Sequence, residues 1–467
     1  MKVLHSEEVH VRIDRVRGKN VSVFGMARSG MAIAKLLKNL GASVFLTEKK
    51  AETDLSSVII ELRIEGIEYE AGGHTEKAIE HKDYLVISPG IPTDIPLLVK
   101  AKEEGIPVFS EIEVAYWLSE AQVVGITGSN GKTTTTTLVG EILKEDEREC
   151  RVAGNIGVPF SKVVQDVSSG GIIVLELSSF QLELIEEFKP KISAILNITP
   201  DHLDRYPDLR SYTDAKLRLL ENQTEEDFAV LNWDDPVTSK LAPLSRAKSV
   251  FFSTKNELKA GSYVKNGNLV FQQNGKSEEI IAIEDIRIKG PHNLSNSAAA
   301  CAICGILGVK TESMEKALGR FKGVEHRLEE VAIIDQKRFV NDSKATNVDS
   351  LYYALLSIKE PILLIAGGRD KGGDFNRLKE LIQRKVKGLI LLGESKEKIK
   401  NTFGDLVPSY FVDSLEEGIK LAFQKAEKGD CVLLSPACAS FDMFKNYEER
   451  GRVFKDAVLS LKKERDD

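Results

Sequence analysis

Residues 125–137 read GITGSNGKTTTTT, and they follow an apolar stretch that ends at Val124. A polar, glycine-rich turn between a buried strand and a helix is suited to binding phosphate, because backbone N–H groups and the helix N-terminus point at the anion. The usual loop has four residues between its first glycine and the Gly-Lys pair, whereas Ile126 occupies that first position here. We therefore predict a variant nucleoside triphosphate loop. Its residues are Gly128, Ser129, Asn130, Gly131, Lys132, Thr133 and Thr134.

Two side chains of this loop suit phosphoryl transfer. Lys132 would neutralise the β- and γ-phosphate oxygens, and the Thr133 hydroxyl would bind magnesium. The next strand, within GIIVLELSSF, delivers Glu176 at its end, where an acid can hold the same ion. The alternative is a plain helix-capping turn, which does not require Gly-Lys-Thr after a buried strand. The displaced glycine argues against an ordinary GTPase or motor ATPase.

An apolar strand, a glycine-containing turn and a helix recur three times along the chain, which is typical of α/β architecture. The first unit begins with a strand at residues 21–24, the second contains the phosphate loop, and the third begins near Arg327. We place boundaries near residues 110 and 323. The sequence thus predicts three α/β domains, covering residues 1–110, 111–323 and 324–467.

Composition excludes several classes of protein. The chain has 467 residues, 42% of them hydrophobic and 29% charged, which describes a globular protein of several domains. A net charge of −7 gives no electrostatic reason to expect nucleic acid as a partner. The charged N-terminus predicts no secretory signal and no apolar run predicts membrane insertion, so we expect a cytoplasmic protein. Cys301 and Cys304 form a C-x-x-C in a small, apolar stretch, which favours buried helix thiols over a zinc or redox site.

Other polar residues leave alternatives open when they are taken singly. Lys216 shares a helical face with Tyr212 and leucines, so it either reaches out to solvent or has a purpose inside. His202 lies between two acids, and a lone histidine is more often structural than a ligand. The GMARSG turn at 25–30, with Glu48 beyond it, is an imperfect dinucleotide fingerprint that suits a nucleotide diphosphate. NDSKATN at 341–347 could serve a phosphate site or simply cap a helix.

Taken together, the motifs resemble the bacterial Mur ligases in their order along essentially the whole chain. The motifs that carry the resemblance are GITGSNGKTT (125–134), GNIG (154–157), LELSSFQLE (175–183), ITPDHLDRYP (198–207), AKLRLLEN (215–222), GPHNLSN (290–296), EHRLE (325–329), NDSKATN (341–347) and LSPACASFD (434–442). The family's own loop signature, T-G-[ST]-N-G-K-[ST], is present at 127–133 and accounts for the displaced glycine. The resemblance implies a Rossmann-like N-terminal domain, a central P-loop ATPase-like domain with a mostly parallel sheet, and a Rossmann-like C-terminal domain.

The resemblance also implies which residues bind ATP and metal. The catalytic residues it implies are Lys132, His202, Lys216 and Lys344. Besides the loop, the ATP-binding residues are Asn293, Asn296, Arg327 and Asp342. One magnesium ion would be held by Thr133 and Glu176, and another by His202 and Lys216. Lys216 would be carbamylated, which turns a cation into an oxygen ligand and gives an inward-facing lysine a purpose.

Two further sets of residues would bind the other substrates. The residues implied for the UDP-containing substrate are Arg28, Ser29, Glu48, Lys49, Lys50, Asn155, Ser178, Gln181 and His202. The residues implied for D-glutamate are Thr346, Lys371, Ser440 and Phe441. The family pattern usually carries more glycine in the nucleotide turn, and Asp where this chain has Glu48.

The function implied is ATP-dependent addition of D-glutamate to UDP-N-acetylmuramoyl-L-alanine through an acyl phosphate, a step in peptidoglycan precursor synthesis. ATP and Mg²⁺ are the cofactors implied, closure of the C-terminal domain is the expected gate, and a monomer is expected. The alternatives are another Mur-family ligase or folylpolyglutamate synthetase. A nucleotide-binding regulator would keep Lys132 but could lose Lys216, Asp342 or Lys344, and a NAD-dependent dehydrogenase would need an intact first-domain fingerprint.

Overall fold

A computed structural model describes residues 13–201 and 205–466 of the chain. Across these residues the strands form sheets of five, nine and six strands. The strands are β1 (Asn20–Phe24), β2 (Ser43–Glu48), β3 (Glu68–Ala71), β4 (Tyr84–Ile87), β5 (Val108–Ser110), β6 (Gln122–Thr127), β7 (Cys150–Gly154), β8 (Ile172–Glu176), β9 (Ile192–Ile195), β10 (Phe228–Asn232), β11 (Lys248–Ser253), β12 (Gly261–Lys265), β13 (Asn268–Gln273), β14 (Lys276–Ala282), β15 (Glu329–Ile334), β16 (Lys337–Asn341), β17 (Ile362–Gly367), β18 (Val386–Leu392), β19 (Ser409–Phe411) and β20 (Cys431–Leu434).

Helices connect most of these strands and cover the sheets. They are α1 (Arg28–Asn39), α2 (Ser56–Ile64), α3 (Pro96–Glu103), α4 (Glu111–Trp117), α5 (Lys132–Glu145), α6 (Phe160–Val163), α7 (Ser179–Leu182), α8 (Leu209–Leu217), α9 (Pro291–Ile306), α10 (Thr311–Arg320), α11 (Val348–Ser357), α12 (Lys379–Lys385), α13 (Lys396–Phe403), α14 (Leu415–Lys425) and α15 (Tyr447–Asp466). None of the helices in the described ranges is both long enough and apolar enough to cross a membrane.

The sheets are mostly parallel. The N-terminal sheet has the order β3-β2-β1-β4-β5 and is parallel throughout. The central sheet, ordered β14-β13-β12-β11-β10-β9-β6-β8-β7, is parallel except for its antiparallel β12–β14 extension. The C-terminal sheet, β15-β16-β20-β17-β18-β19, is antiparallel only at its β15 edge. The predicted α/β class is confirmed. The boundaries near 110 and 323 stay predictions; the first sheet ends at Ser110 and the third begins at Glu329.

Strands with both faces covered explain the continuous apolar runs in the sequence. Every residue of β4, β8, β9 and β17 is buried. Cys301 and Cys304 are buried in α9, in agreement with the interpretation of the C-x-x-C as packing thiols. In the first turn, α1 approaches so closely that a Cβ at Gly30 would lie 1.8 Å from the Gly25 carbonyl oxygen, so only glycine fits there.

The N-terminal and central domains share one apolar core. A single cluster of buried residues runs from Val21 and Leu37 to Phe160, Leu175 and Leu219. Beside this junction, the carboxylate of the buried Glu113 in α4 accepts backbone N–H bonds of 2.9 Å from residues 186, 187 and 188, which ties the start of the central domain to the segment after α7. The core of the C-terminal domain, in contrast, consists of residues from Leu328 onward. The first two domains therefore form one packed unit to which the third is attached.

Candidate active site

The glycine-rich loop lies at the carboxyl end of β6 and leads into α5. Gly131 caps the helix with φ +84°, a left-handed conformation that glycine adopts without strain. Asn197, just beyond the neighbouring β9, holds the loop through its main-chain oxygen and its amide. It accepts from Ser129 N at 3.0 Å and from Asn130 N at 2.8 Å, and its Nδ2 donates to Asn130 O at 3.0 Å. The loop is recognisable from its own sequence, but its backbone is held in place by Asn197, from the end of a neighbouring strand.

Lys132 folds back over this loop. Its Nζ donates to the carbonyl oxygens of Gly128 at 2.8 Å and Ser129 at 2.9 Å. Burial lowers the pKa of Lys132, and the negative charges of Glu176 and Asp201 oppose that shift. The ammonium group is therefore positioned where phosphates bound to the loop would meet it.

Lys216 is inside the protein, which decides between the two alternatives left open by the sequence. Lys216 is 1% exposed, and its Nζ donates to Gly128 O at 3.1 Å and to Thr127 Oγ1 at 3.4 Å. The same ammonium lies 4.5 Å from the centre of the Tyr212 ring. Burial, followed by repulsion from Lys132, holds the pKa of Lys216 well below its ordinary value. A buried lysine of this kind is readily present as the neutral amine.

Glu176 ends β8 as a buried carboxylate with one oxygen unsatisfied. It is 1% exposed, its Oε1 accepts from Asn155 Nδ2 at 2.8 Å, and its Oε2 has no partner among the described residues. A buried carboxylate oxygen without a donor is costly unless a cation or a donor faces it. Glu176 is therefore suited to hold a metal ion. The prediction for His202 falls on 202–204, which lie outside the described residues; the adjoining Asp201 accepts from Asn347 Nδ2 at 3.2 Å.

The C-terminal domain reaches the loop directly. The Lys344 ammonium donates to the Thr133 hydroxyl, and burial lowers the pKa of Lys344 to about 8. Asp342 accepts from Ser435 Oγ at 2.8 Å and from the backbone N–H of Leu328 at 3.2 Å. Burial raises the pKa of Asp342 to about 6, against the opposing charge of Arg327. The bond from Lys344 to Thr133 joins the third domain to the second at the phosphate loop, while the Asp342 bonds lie within the third domain.

One cavity of about 730 Å³ collects predicted residues from all three domains. The predicted residues that line it are Arg28, Ser129, Asn130, Gly131, Lys132, Thr133, Asn155, Glu176, Ser178, Lys216, Arg327, Lys344, Thr346, Lys371, Ser440 and Phe441. An adjoining cavity of about 480 Å³ shares Asn130, Gly131 and Arg327 with it and is lined in addition by Thr134, Asn296 and Asp342.

Several predicted residues lie elsewhere. Those that line neither cavity are Ser29, Glu48, Lys49, Lys50, Gly128, Gln181 and Asn293. Glu48 accepts from Met26 N at 2.9 Å and from Lys50 N at 3.2 Å, so its carboxylate ties together the backbone of two turns. Gln181 accepts from Ser178 in a capping box at the start of α7. Asn293 lies one turn before Asn296 in α9, and its side chain donates to Lys289 O at 2.9 Å.

Sequence analysis missed Arg205, which lies in the quoted ITPDHLDRYP motif. Its guanidinium donates to Glu183 Oε2 and Pro89 O, both at 3.1 Å, and stacks 4.1 Å from the centre of the Phe180 ring. It thus connects the central domain to a loop of the N-terminal domain at the cavity wall. The motif was visible in the sequence, but nothing in it singled out this arginine, because its partners are distant along the chain.

Family models match most of the chain. The Mur ligase MurD-like N-terminal domain matches residues 19–110, the Mur ligase middle domain matches 126–304, and the Mur ligase glutamate ligase domain matches 326–438. Two relatives are named UDP-N-acetylmuramoylalanine--D-glutamate ligase. The protein from Thermoanaerobacter pseudethanolicus is 45% identical over 454 residues, with 96% of this chain and 100% of the relative covered. The protein from Caldanaerobacter subterraneus is 46% identical over 454 residues, with the same coverage.

Solved structures share the fold at low identity. UDP-N-acetylmuramate-alanine ligase from Thermotoga maritima has a TM-score of 0.61 at 22% identity, covering 95% of this chain and 100% of that one. A MurF ligase from Thermotoga maritima in complex with ADP has a TM-score of 0.60 at 17% identity, covering 90% of this chain and 95% of that one.

Gly131 gives a direct test of the loop. A Cβ there would lie 2.3 Å from Asn296 Oδ1, and a left-handed residue other than glycine costs about 1–2 kcal/mol. We expect Gly131→Ala to weaken ADP binding by about tenfold or more in a calorimetric titration, since 1.4 kcal/mol corresponds to about tenfold.

Gly170→Ala is the matched control, because Gly170 lies in the same domain and has open space around its Cβ. It should leave the affinity unchanged. If the Gly131→Ala variant melts at the same temperature as the wild type and binds ADP with the same affinity, ADP does not use this loop.

Proposed function

The chain belongs to the Mur ligase family, and from that premise we propose that it uses ATP to join D-glutamate to UDP-N-acetylmuramoyl-L-alanine in peptidoglycan precursor synthesis. The observation that carries the proposal is the naming of relatives about 45% identical along 96% of the chain for this activity. The cavity that joins the phosphate loop to residues of all three domains supports it.

Amide formation needs an activated carboxylate, because hydroxide is a poor leaving group. The carboxylate of the L-alanyl residue attacks the γ-phosphorus of ATP, ADP leaves, and an acyl phosphate forms. The uncharged amine of D-glutamate then attacks the acyl carbon, and the tetrahedral intermediate expels phosphate and loses a proton. Lys132, which donates to Gly128 O, and Lys344, which donates to the Thr133 hydroxyl, would stabilise the negative charge on the transferring group.

Magnesium fits the residues at the end of β8. The unsatisfied Oε2 of Glu176 and the hydroxyl of Thr133 are oxygen ligands of the kind that Mg²⁺ prefers, and both residues line the cavity. When bound, the ion would offset the negative charge of the phosphates. Asn155 would keep the other carboxylate oxygen of Glu176 in place.

Lys216 is the candidate for carbamylation. A neutral amine forms a carbamate when its nitrogen bonds to the carbon of CO₂ and a proton leaves, and the lowered pKa of Lys216 supplies that neutral amine. The carbamate would put an anion next to the Lys132 ammonium, so that the two side chains attract each other. With His202, it would provide the second magnesium site.

The remaining residues would bind the two substrates that are joined. Arg28 lines the cavity and donates to Gly157 O at 3.2 Å. It therefore connects the turn at residues 25–30 to the central domain. Thr346, Lys371, Ser440 and Phe441 line the same cavity from the C-terminal domain and would receive D-glutamate. The polar attachment of that domain suits closure over the substrates, which would protect the acyl phosphate from water.

The first test of the function is phosphate release from ATP in the presence of UDP-N-acetylmuramoyl-L-alanine and single amino acids. The panel contains D-glutamate, L-glutamate, D-aspartate, L-alanine and a diamino acid. We expect turnover with D-glutamate alone. Turnover with a different amino acid would assign the chain to another activity of the family, and no turnover in any mixture would contradict ligase function.

Lys216→Ala tests the carbamate. We expect the ligase rate of this variant to be at least about 100-fold lower than that of the wild type, because removing a group that stabilises charge typically has an effect of this size. A small carboxylate that occupies the vacated volume supplies the missing oxygen ligand, so added formate or acetate should restore part of the rate. Lys240→Ala, which removes an exposed lysine of the same domain, is the control. Full activity of Lys216→Ala without additives would refute the role.

A further inference from the structure

Glu111 is a buried acid that the proposed reaction does not use. It is the first residue of α4, directly after the last strand of the N-terminal sheet, and it is 1% exposed. Its Oε1 accepts a hydrogen bond of 2.7 Å from the backbone N–H of Ser161. Burial raises the pKa of Glu111, and the hydrogen bonds from Ser161 oppose that shift. Burying an acid costs free energy, and the bond from Ser161 offsets part of that cost.

Ser161 belongs to α6, a short helix at the boundary of the first two domains. This helix packs against α1 of the N-terminal domain and against α4, and its Phe160 is fully buried in the core that both domains share. The first N–H groups of a helix have no partner within the helix, and Glu111 supplies an acceptor for one of them. Glu111 therefore fixes the position of α6 relative to the start of the central domain.

Residues 154–158 form a turn, the 154–158 turn, that leads into α6. A bond of 2.9 Å from Gly154 N to Val158 O closes it. A Cβ at Gly154 would lie 2.3 Å from Glu176 O, so the turn lies directly against the end of β8. Asn155 donates twice to Glu176, from its backbone N to the carbonyl oxygen and from Nδ2 to Oε1, both at 2.8 Å. The orientation of the Glu176 carboxylate therefore depends on the position of this turn.

The 154–158 turn also contacts the N-terminal domain. Gly157 O accepts from Nη1 of Arg28 at 3.2 Å, and Arg28 is the first residue of α1. Arg28, Asn155 and Glu176 all line the cavity at the phosphate loop. The turn is thus held by Glu176 at its start and, through α6, by Glu111 beyond its end.

We propose that Glu111 is a positioning residue for the ligase reaction. By holding α6 and the 154–158 turn in place, it keeps Glu176 oriented through Asn155 and keeps Arg28 facing the cavity through Gly157. This role rests on the proposed function, which gives Glu176 a magnesium ion and Arg28 the UDP-containing substrate. Glu111 itself lines neither cavity and contacts neither ligand.

Two variants remove the acceptor for Ser161. Glu111→Met keeps most of the side-chain volume, and Glu111→Ala removes it. We expect both to weaken Mn²⁺ binding to the ADP-bound protein, followed by electron paramagnetic resonance, by about tenfold, because outer partners of metal ligands typically contribute that much. Calorimetry should show a weaker affinity for UDP-N-acetylmuramoyl-L-alanine as well. The affinity for ADP in EDTA should stay that of the wild type, since Asn197 holds the phosphate loop.

Glu111→Gln keeps an acceptor oxygen at the same place, so it should bind Mn²⁺ and the UDP-containing substrate as the wild type does. Glu113→Met is the matched control. It makes the same change at a buried glutamate of the same helix, but Glu113 binds residues 186–188 and not α6. It should lower the melting temperature and leave the affinities for Mn²⁺ and the UDP-containing substrate unchanged.

Wild-type affinities for Mn²⁺ and the UDP-containing substrate in a folded Glu111→Met or Glu111→Ala protein would mean that Glu111 only stabilises the fold. Equal losses in Glu113→Met would mean that the site responds to any weakening of α4. Either result overturns the positioning role. A wild-type protein that binds neither ADP nor UDP-N-acetylmuramoyl-L-alanine would instead contradict the proposed function.

Discussion

Two lysine side chains donate hydrogen bonds to one carbonyl oxygen of the phosphate loop. Lys132 and Lys216 both donate to Gly128 O, at 2.8 and 3.1 Å, and Lys132 is half-buried while Lys216 is buried. A second positive charge beside Lys132 is unfavourable unless anions face the pair, and the pKa of Lys216 is held well below its ordinary value by burial and by Lys132. Glu176 and Asp201 supply part of that negative charge, and the phosphates of ATP and a carbamate on Lys216 would supply the rest. The local structure is thus organised to bind negative charge before any substrate arrives.

The division of the molecule into a packed unit and an attached domain follows from different kinds of contact. The first two domains share buried apolar residues, so separating them would expose a core. At the phosphate loop the third domain meets them through Lys344, Ser350 and Asn347, all of which can exchange their bonds for water. Under the proposed function, substrates bound on both sides of that interface would shift the position of the third domain at modest cost.

Much of the fold was predictable because the information is local. Buried parallel strands give apolar runs, and the turns between strand and helix carry the glycines, so the α/β class and the phosphate loop could be inferred from short windows. Lys216 shows the limit of such inference. Its neighbours in the helix marked it as unusual, but only the strand ends brought beside it show that it faces Gly128 and not solvent. Arg205 was missed for the same reason, since Pro89 lies in the N-terminal domain and Glu183 and Phe180 are brought beside Arg205 only by the fold.

In the proposed reaction, the γ-phosphoryl group of ATP activates the substrate carboxylate at the end of the cavity lined by Lys132 and Lys344. The most direct measurement starts from UDP-N-acetylmuramoyl-L-alanine in which both oxygens of the alanyl carboxylate are ¹⁸O. This substrate is turned over with ATP and D-glutamate. An acyl phosphate transfers one carboxylate oxygen to phosphorus, so mass spectrometry should find one ¹⁸O atom in the released phosphate for each amide formed. Phosphate without ¹⁸O, accompanied by amide product, would contradict this account.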